Sequence, residues 1–206
     1  MSLIINKIRV YDDTTKSLVT KLSGGFGQYP GHSNRILALK FHPLDPNIII
    51  SAGWDHNVHF WDVRQERSYA AIQGPTVSGD ALDMKNNLLL TGSWRNDDQL
   101  EIWDYNMRKK VMNVDWEYGQ NVSGAYIYSC QFSKTNDESI VAGSSSINEV
   151  RAYDRTADNK DFGRVSNSKG VYCVDYANNS DMFSFCGGEG RVHVIQISNK
   201  PCINLL

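Results

Sequence analysis

A chain of 206 residues makes one domain or two small ones. Lys and Arg number 21 against 23 Asp and Glu, a formal net charge of −2, which argues against a protein held to nucleic acid or a membrane surface by charge. Hydrophobic residues at 41% suffice to bury a core, and no apolar run approaches the ~20 residues of a membrane-spanning helix.

The opening Met-Ser-Leu-Ile-Ile-Asn-Lys lacks the long apolar stretch of a secretory leader, so a cytoplasmic location is expected. The first element is 8–12, Ile-Arg-Val-Tyr-Asp, which alternates apolar and polar residues as a strand does. A more polar strand follows at 18–22. Beyond an insertion at 24–30, strands are expected at 36–41, 48–53, 58–62 and 68–73. The same order returns at 81–84, 88–92, 100–104 and 110–115, and again at 128–132, 140–143, 150–154 and 162–165. It ends with 171–176, 182–187, 192–196 and 202–206. No segment of ten or more residues has the apolar spacing of an amphipathic helix.

Five of these strands share one pattern: apolar, any residue, apolar, large, then usually Asp. The large residues are Tyr11, Trp61, Trp103, Tyr153 and Ile195, spaced by 50, 42, 50 and 42 residues. The mean of 46 is near the ~40–45 of a four-stranded propeller repeat. The strand before each of the last four copies ends in Gly, as a tight turn into the next strand would require. The unit is therefore a four-stranded antiparallel meander.

Residues 31–62 open with Gly31-His32 and close with Trp61-Asp62, with Ser51 and Asp55 between them. The stretch resembles a WD repeat. The resemblance implies that His32, Ser51, Asp55 and Trp61 form a hydrogen-bonded tetrad stapling the strands of a blade. A closed network of that kind satisfies a buried imidazole, hydroxyl and indole N–H together. The later copies depart from the pattern. The second has Thr91, Asp97 and Trp103 without Gly-His, the third keeps Tyr153-Asp154, and the fourth has Ile195-Gln196. The fold expected is all-β, a WD40 β-propeller of four-stranded antiparallel blades. A partial blade at 1–23 would precede blades at about 31–74, 75–116, 125–166 and 168–206. That makes about 4.5 blades in a single propeller segment, against the usual seven, which would need roughly 320 residues. A partial propeller has open sheet edges, so the expectation is either that the chain is part of a longer polypeptide or that a partner chain completes it.

No G-x-S-x-G, H-E-x-x-H or P-loop occurs, and Gly187-Gly188-Glu189-Gly190 reads as a hairpin turn between strands, so no catalytic residue is assigned. The five His (His32, His42, His56, His59, His193) and four Cys (Cys130, Cys173, Cys186, Cys202) lack metal-ligand spacing, so no metal or cofactor is expected. The cysteines read as buried, reduced thiols. The remaining function is a non-catalytic scaffold that binds other proteins through its loops, without nucleic acid or membrane. The family's usual binding face would carry Tyr29, Trp54, His56, Trp94, Arg95 and Tyr118, residue types that dominate interface hot spots. Residues 49–64 also resemble the sixteen-residue box of substrate receptors for cullin-type ubiquitin ligases, in which Arg64 would contact the adaptor. A structural place in a cytoskeletal or ciliary assembly is a further alternative, by analogy of fold.

Overall fold

The computed structural model describes residues 6–24, 31–116, 124–135, 138–198 and 202–205. Strands β1 (Ile8–Tyr11) and β2 (Leu18–Leu22) pair as a two-stranded sheet. Four four-stranded antiparallel meanders follow. The first is β3 (Ile36–Phe41), β4 (Ile48–Gly53), β5 (Asn57–Asp62) and β6 (Ser68–Gln73). The second is β7 (Leu82–Lys85), β8 (Leu88–Gly92), β9 (Leu100–Asp104) and β10 (Lys109–Asn113). The third is β11 (Tyr126–Phe132), β12 (Ser139–Ser145), β13 (Glu149–Asp154) and β14 (Lys160–Ser166). The fourth is β15 (Val171–Tyr176), β16 (Met182–Gly187), β17 (Val192–Ser198) and β18 (Cys202–Leu205). The arrangement is a β-propeller, with four full blades and the two-stranded sheet beside the first.

The leading strands of successive blades, β3, β7, β11 and β15, meet one another and so lie innermost. Side-chain hydrogen bonds lock these contacts. Asp83 accepts from the Phe132 amide at 2.9 Å, Ser129 Oγ from the Val174 amide at 3.1 Å and Gln131 Oε1 from the Tyr176 amide at 2.7 Å. Every residue of β4 is buried, because both faces of a second strand lie between neighbouring sheets, whereas β10 on the outside is mostly exposed. The core runs through the first three blades as Ile50, Phe60, Leu82, Leu90, Ile102, Trp103, Ile127, Phe132 and Tyr153. Val174, Tyr176, Phe183, Phe185 and Ile195 continue it in the fourth, and Ile8 and Leu22 seat the two-stranded sheet on Ile49 and Trp61.

Two sequence signals have a physical cause here. The repeated Asp after the aromatic residue turns the chain: Asp12, Asp62, Asp104 and Asp154 accept the amides of Thr15, Arg64, Met107 and Thr156 at 2.6–2.9 Å. The glycine that ends a second strand answers to close approach rather than to a special dihedral. A Cβ on Gly53 would lie 2.0 Å from the Arg35 carbonyl oxygen, and one on Gly187 2.0 Å from that of Gly170.

The expectation of uniformly buried thiols needs correction. Cys130 is buried, but Cys173 is exposed and Cys186 half-buried. Both lie on the blade-four face that alternates away from Val174, Tyr176, Phe183 and Phe185, so their apolar neighbours in sequence belong to the other face. The side chain of Cys202 lies outside the described residues.

Candidate functional site

The first repeat brings its four signature side chains together. Trp61 Nε1 donates to Ser51 Oγ at 2.7 Å, Ser51 Oγ lies 2.7 Å from His32 Nε2, and His32 Nδ1 is 2.8 and 3.0 Å from the two Asp55 oxygens. One proton order satisfies all of them: indole N–H to hydroxyl, hydroxyl to Nε2, Nδ1–H to carboxylate. The His32 and Asp55 side chains are 0% and 1% exposed, so the chain is dry. Burial pushes the Asp55 carboxyl up, but the His32 hydrogen bond and charge and the Ser33 amide outweigh it and hold it below the ordinary value.

A fifth member, His59, was not expected. Its ring lies 4.4 Å from His32 and 5.7 Å from Trp61, with Nδ1 3.1 Å from Ser68 Oγ. Strand alternation holds the signal that could have found it, since His59 is two residues before Trp61 and shares its side of β5. Burial, reinforced by His32, lowers His59 to about 4, so it is neutral at pH 7. His32, Asp55 and His59 bring metal-type donor atoms within 4.8 Å of one another. Hydrogen bonds to Ser51, Asp55 and Ser68 engage both His32 nitrogens and His59 Nδ1, while His59 Nε2 has no partner. The arrangement serves as a staple between strands.

The second blade keeps one link of this chain, Trp103 Nε1 to Thr91 Oγ1 at 2.9 Å. Asp97 is exposed, and an ionic cluster stands nearby. The buried carboxylate of Glu101 lies 2.9 Å from Arg95 and 3.2 Å from Lys110. Arg95 also donates to the Gly74 and Asp98 carbonyls at 3.0 and 2.9 Å. Its guanidinium, expected on a binding face, is thus committed inside the fold.

The two tryptophans at matching turns meet across the blade boundary. Trp54 and Trp94 stack with centroids 6.3 Å apart and planes 6° from parallel, and remain 37% and 40% exposed. Trp54 Nε1 donates to Ser78 Oγ at 2.6 Å, which fixes the ring. Arg35 covers Trp54 at 5.5 Å. On the other side Trp94 meets Tyr126 at 5.1 Å and Tyr128 at 6.1 Å, and Tyr128 meets Tyr172 at 5.1 Å. The result is an aromatic row spanning all four blades. His56 lies beside it, exposed, with Nδ1 2.5 Å from Thr76 Oγ1. Tyr29 and Tyr118 lie outside the described residues.

Sequence reasoning missed Tyr126, Tyr128 and Tyr172. The pairing register slips at Leu37, Tyr128 and Tyr172, the same place in the first, third and fourth blades. A bulge re-aims a side chain that simple alternation would assign elsewhere. Arg64 stands apart, 67% exposed, with Nε and Nη2 donating to Asp62 at 2.8 and 2.6 Å.

Among the described residues no helix is long and apolar enough to cross a membrane. Residues 26–62 match the family described as WD domain, G-beta repeat. A stretch of 74 residues is 34% identical to Mitochondrial division protein 1 of Neurospora crassa. That stretch covers 35% of this chain and only 11% of the fungal protein, so the role in the fungal name stays with that protein.

Proposed function

A WD repeat occupies residues 26–62 of a chain folded as a β-propeller, and on that premise we propose that the protein is a non-catalytic interaction scaffold whose docking surface is the aromatic row. The observation that carries this reading is the continuity of Trp54, Trp94, Tyr126, Tyr128 and Tyr172 across four blades. A propeller presents its loops on a stiff frame, and half-exposed Trp and Tyr give large contact area at small entropic cost. The row takes a protein partner with an apolar or cationic segment, since ring faces attract both.

A second contact surface is supported at the two-stranded sheet. Among the described residues β1 pairs only with β2, and a cavity of about 240 Å³ beside it is lined by Lys7, Ile8, Ile36, Leu37 and Leu39. A strand from a chain that completes the propeller would add to the β1 edge there. Two narrower readings follow from the scaffold role. A cullin-type ligase receptor rests on Arg64, and a cytoskeletal or ciliary structural role rests on the fold. The free thiols of Cys130, Cys173 and Cys186 support a reducing, cytoplasmic setting.

The test is affinity capture from a native extract with mass spectrometry, comparing wild type with the doubly substituted Trp54→Ala/Trp94→Ala chain. The double variant, shown folded by circular dichroism, should lose the partners that wild type and Arg64→Ala both retain. An unchanged set of partners would remove the aromatic row from the function. Partners lost only with Arg64→Ala would instead favour the ligase receptor.

A further inference from the structure

Cys173 on β15 and Cys186 on β16 are direct partners in the antiparallel ladder. Both lie on the face of the fourth blade turned away from its core, Cys173 exposed and Cys186 half-buried. Directly opposed residues of a regular ladder have Cα atoms about 4.5 or 5.5 Å apart, within the roughly 4.4–6.8 Å that a disulfide spans, and this pair stands immediately after the register shift at Tyr172. Both thiols are free in this structure. Around them the face is open and mixed, with Val192, the partner of Cys186, 72% exposed, Val194 41% exposed, and the Asp175–Ser184 pair next along the ladder.

We propose that Cys173 and Cys186 form a redox-modification site, a surface dithiol that reacts with a low-molecular-weight disulfide of the glutathione class and closes into a cross-strand disulfide. One cysteine, as thiolate, attacks a sulfur of the small disulfide. Its S–S bond breaks, a protein–glutathione mixed disulfide forms, and one thiol leaves carrying the proton that the cysteine gave up. The second cysteine then attacks the protein-side sulfur of the mixed disulfide, a new S–S bond joins the two strands, and a second thiol leaves with the second proton. Two protein thiols are oxidised, and one small disulfide is reduced to two thiols.

Reactivity alone does not single out this pair. Burial, the neighbouring Cys186 and the carboxylates of Asp80 and Asp175 hold the Cys173 thiol above its ordinary range. What sets the pair apart is that the second step is intramolecular between strands already held in register, so a mixed disulfide here is short-lived. Cys130 is an internal reference. It pairs with Ala142, is 1% exposed, and burial pushes its thiol well up, so it should stay reduced.

The reduced chain is incubated with excess oxidised glutathione, the remaining thiols are alkylated under denaturing conditions, and the products are read by intact mass and peptide mapping. Wild type should lose two hydrogens, about 2 Da, and yield one cross-linked peptide pair containing Cys173 and Cys186. Cys173→Ser and Cys186→Ser should each retain one glutathionyl group on the surviving partner and lose the cross-link. The proposal falls if wild type carries stable glutathione adducts without a cross-link, if both thiols are alkylated, or if the bond joins Cys130 or Cys202 instead. Should a serine variant fail to fold, the wild-type map decides alone.

Discussion

Blades one and two share a strand order and an inward-facing tryptophan but are fastened differently. In the first, Trp61 ends a relay that passes through Ser51 and His32 to Asp55, with His59 packed against it. In the second, Trp103 stops at Thr91, and the charges are gathered separately by Glu101, Arg95 and Lys110. The first solution satisfies a tryptophan, serine, histidine and aspartate with one another, so removing one leaves its direct neighbours short of a partner. The second divides the work into a single hydrogen bond and an ion cluster, which couples fewer groups and tolerates sequence drift. The two-stranded sheet leans on the more tightly coupled blade, since Ile8 and Leu22 pack on Ile49 and Trp61.

The largest expected effect is therefore at Trp61. Trp61→Ala should cost about 3–5 kcal/mol in urea unfolding, through a core cavity together with the loss of the indole donor to Ser51. A loss below about 1 kcal/mol would mean that the relay contributes little. Hydroxyl deletions separate the two designs more sharply. Ser51→Ala leaves both Trp61 Nε1 and His32 Nε2 without partners and should cost about 2–4 kcal/mol, whereas Thr91→Val strands only Trp103 Nε1 and should cost about 1–2 kcal/mol. Equal losses would break the distinction between the blades.

Acid should act on the two blades in opposite directions. His59 titrates at about 4 in the folded protein against 6.5 ordinarily, so the unfolded chain binds more protons between those values. Its contribution to stability is full above pH 6.5 and is lost as pH falls toward 4. Asp55 is held below its ordinary value of 3.8, so its contribution disappears only at still lower pH. Glu101 is displaced the other way. Burial raises it above 4.5 despite Arg95 and Lys110, and its protonation on acidification favours the folded state. His59→Gln should flatten the pH 6.5-to-4 limb of the urea midpoint, and Glu101→Gln should leave that limb in place. A limb that survives His59→Gln would assign the acid sensitivity elsewhere.

Much of the fold was legible because strand alternation and the aromatic-Asp pair recur at regular steps, and because each Asp caps an amide two or three residues on in every copy that carries it. The relay was legible at residue level, since the WD-repeat resemblance assigned Ser51 and Asp55 to a specific partner set. The aromatic row was only half legible. Trp54 and Trp94 stand at turns that sequence can place, whereas Tyr128 and Tyr172 are aimed by bulges that leave no mark in a period-two pattern. Arg95 shows the converse error. It stands next to Trp94 in sequence, yet its guanidinium runs inward to Glu101. Likewise Cys173 and Cys186 sit among apolar residues that serve the opposite face of their sheet.

The smallest expected effect tests whether charge on the first blade matters beyond the relay. Arg64 follows the same turn that Trp61-Asp62 closes, and it grips Asp62 through two side-chain donors. That contact lowers the Asp62 carboxyl to about 2, first through the Arg64 side chain and then through its backbone amide. The amide bond at 2.9 Å remains when the side chain is removed, and the turn with it. The Arg64 end of the pair is exposed although Asp62 is largely covered, so solvent screens it and ordering the long side chain costs entropy. Arg64→Ala should therefore leave the urea midpoint unchanged while Ser51→Ala, thirteen residues upstream in the same blade, moves it strongly. A midpoint shift in Arg64→Ala comparable to that in Ser51→Ala would extend the relay to the Asp62 turn and make the first blade's coupling wider than the hydrogen bonds alone imply.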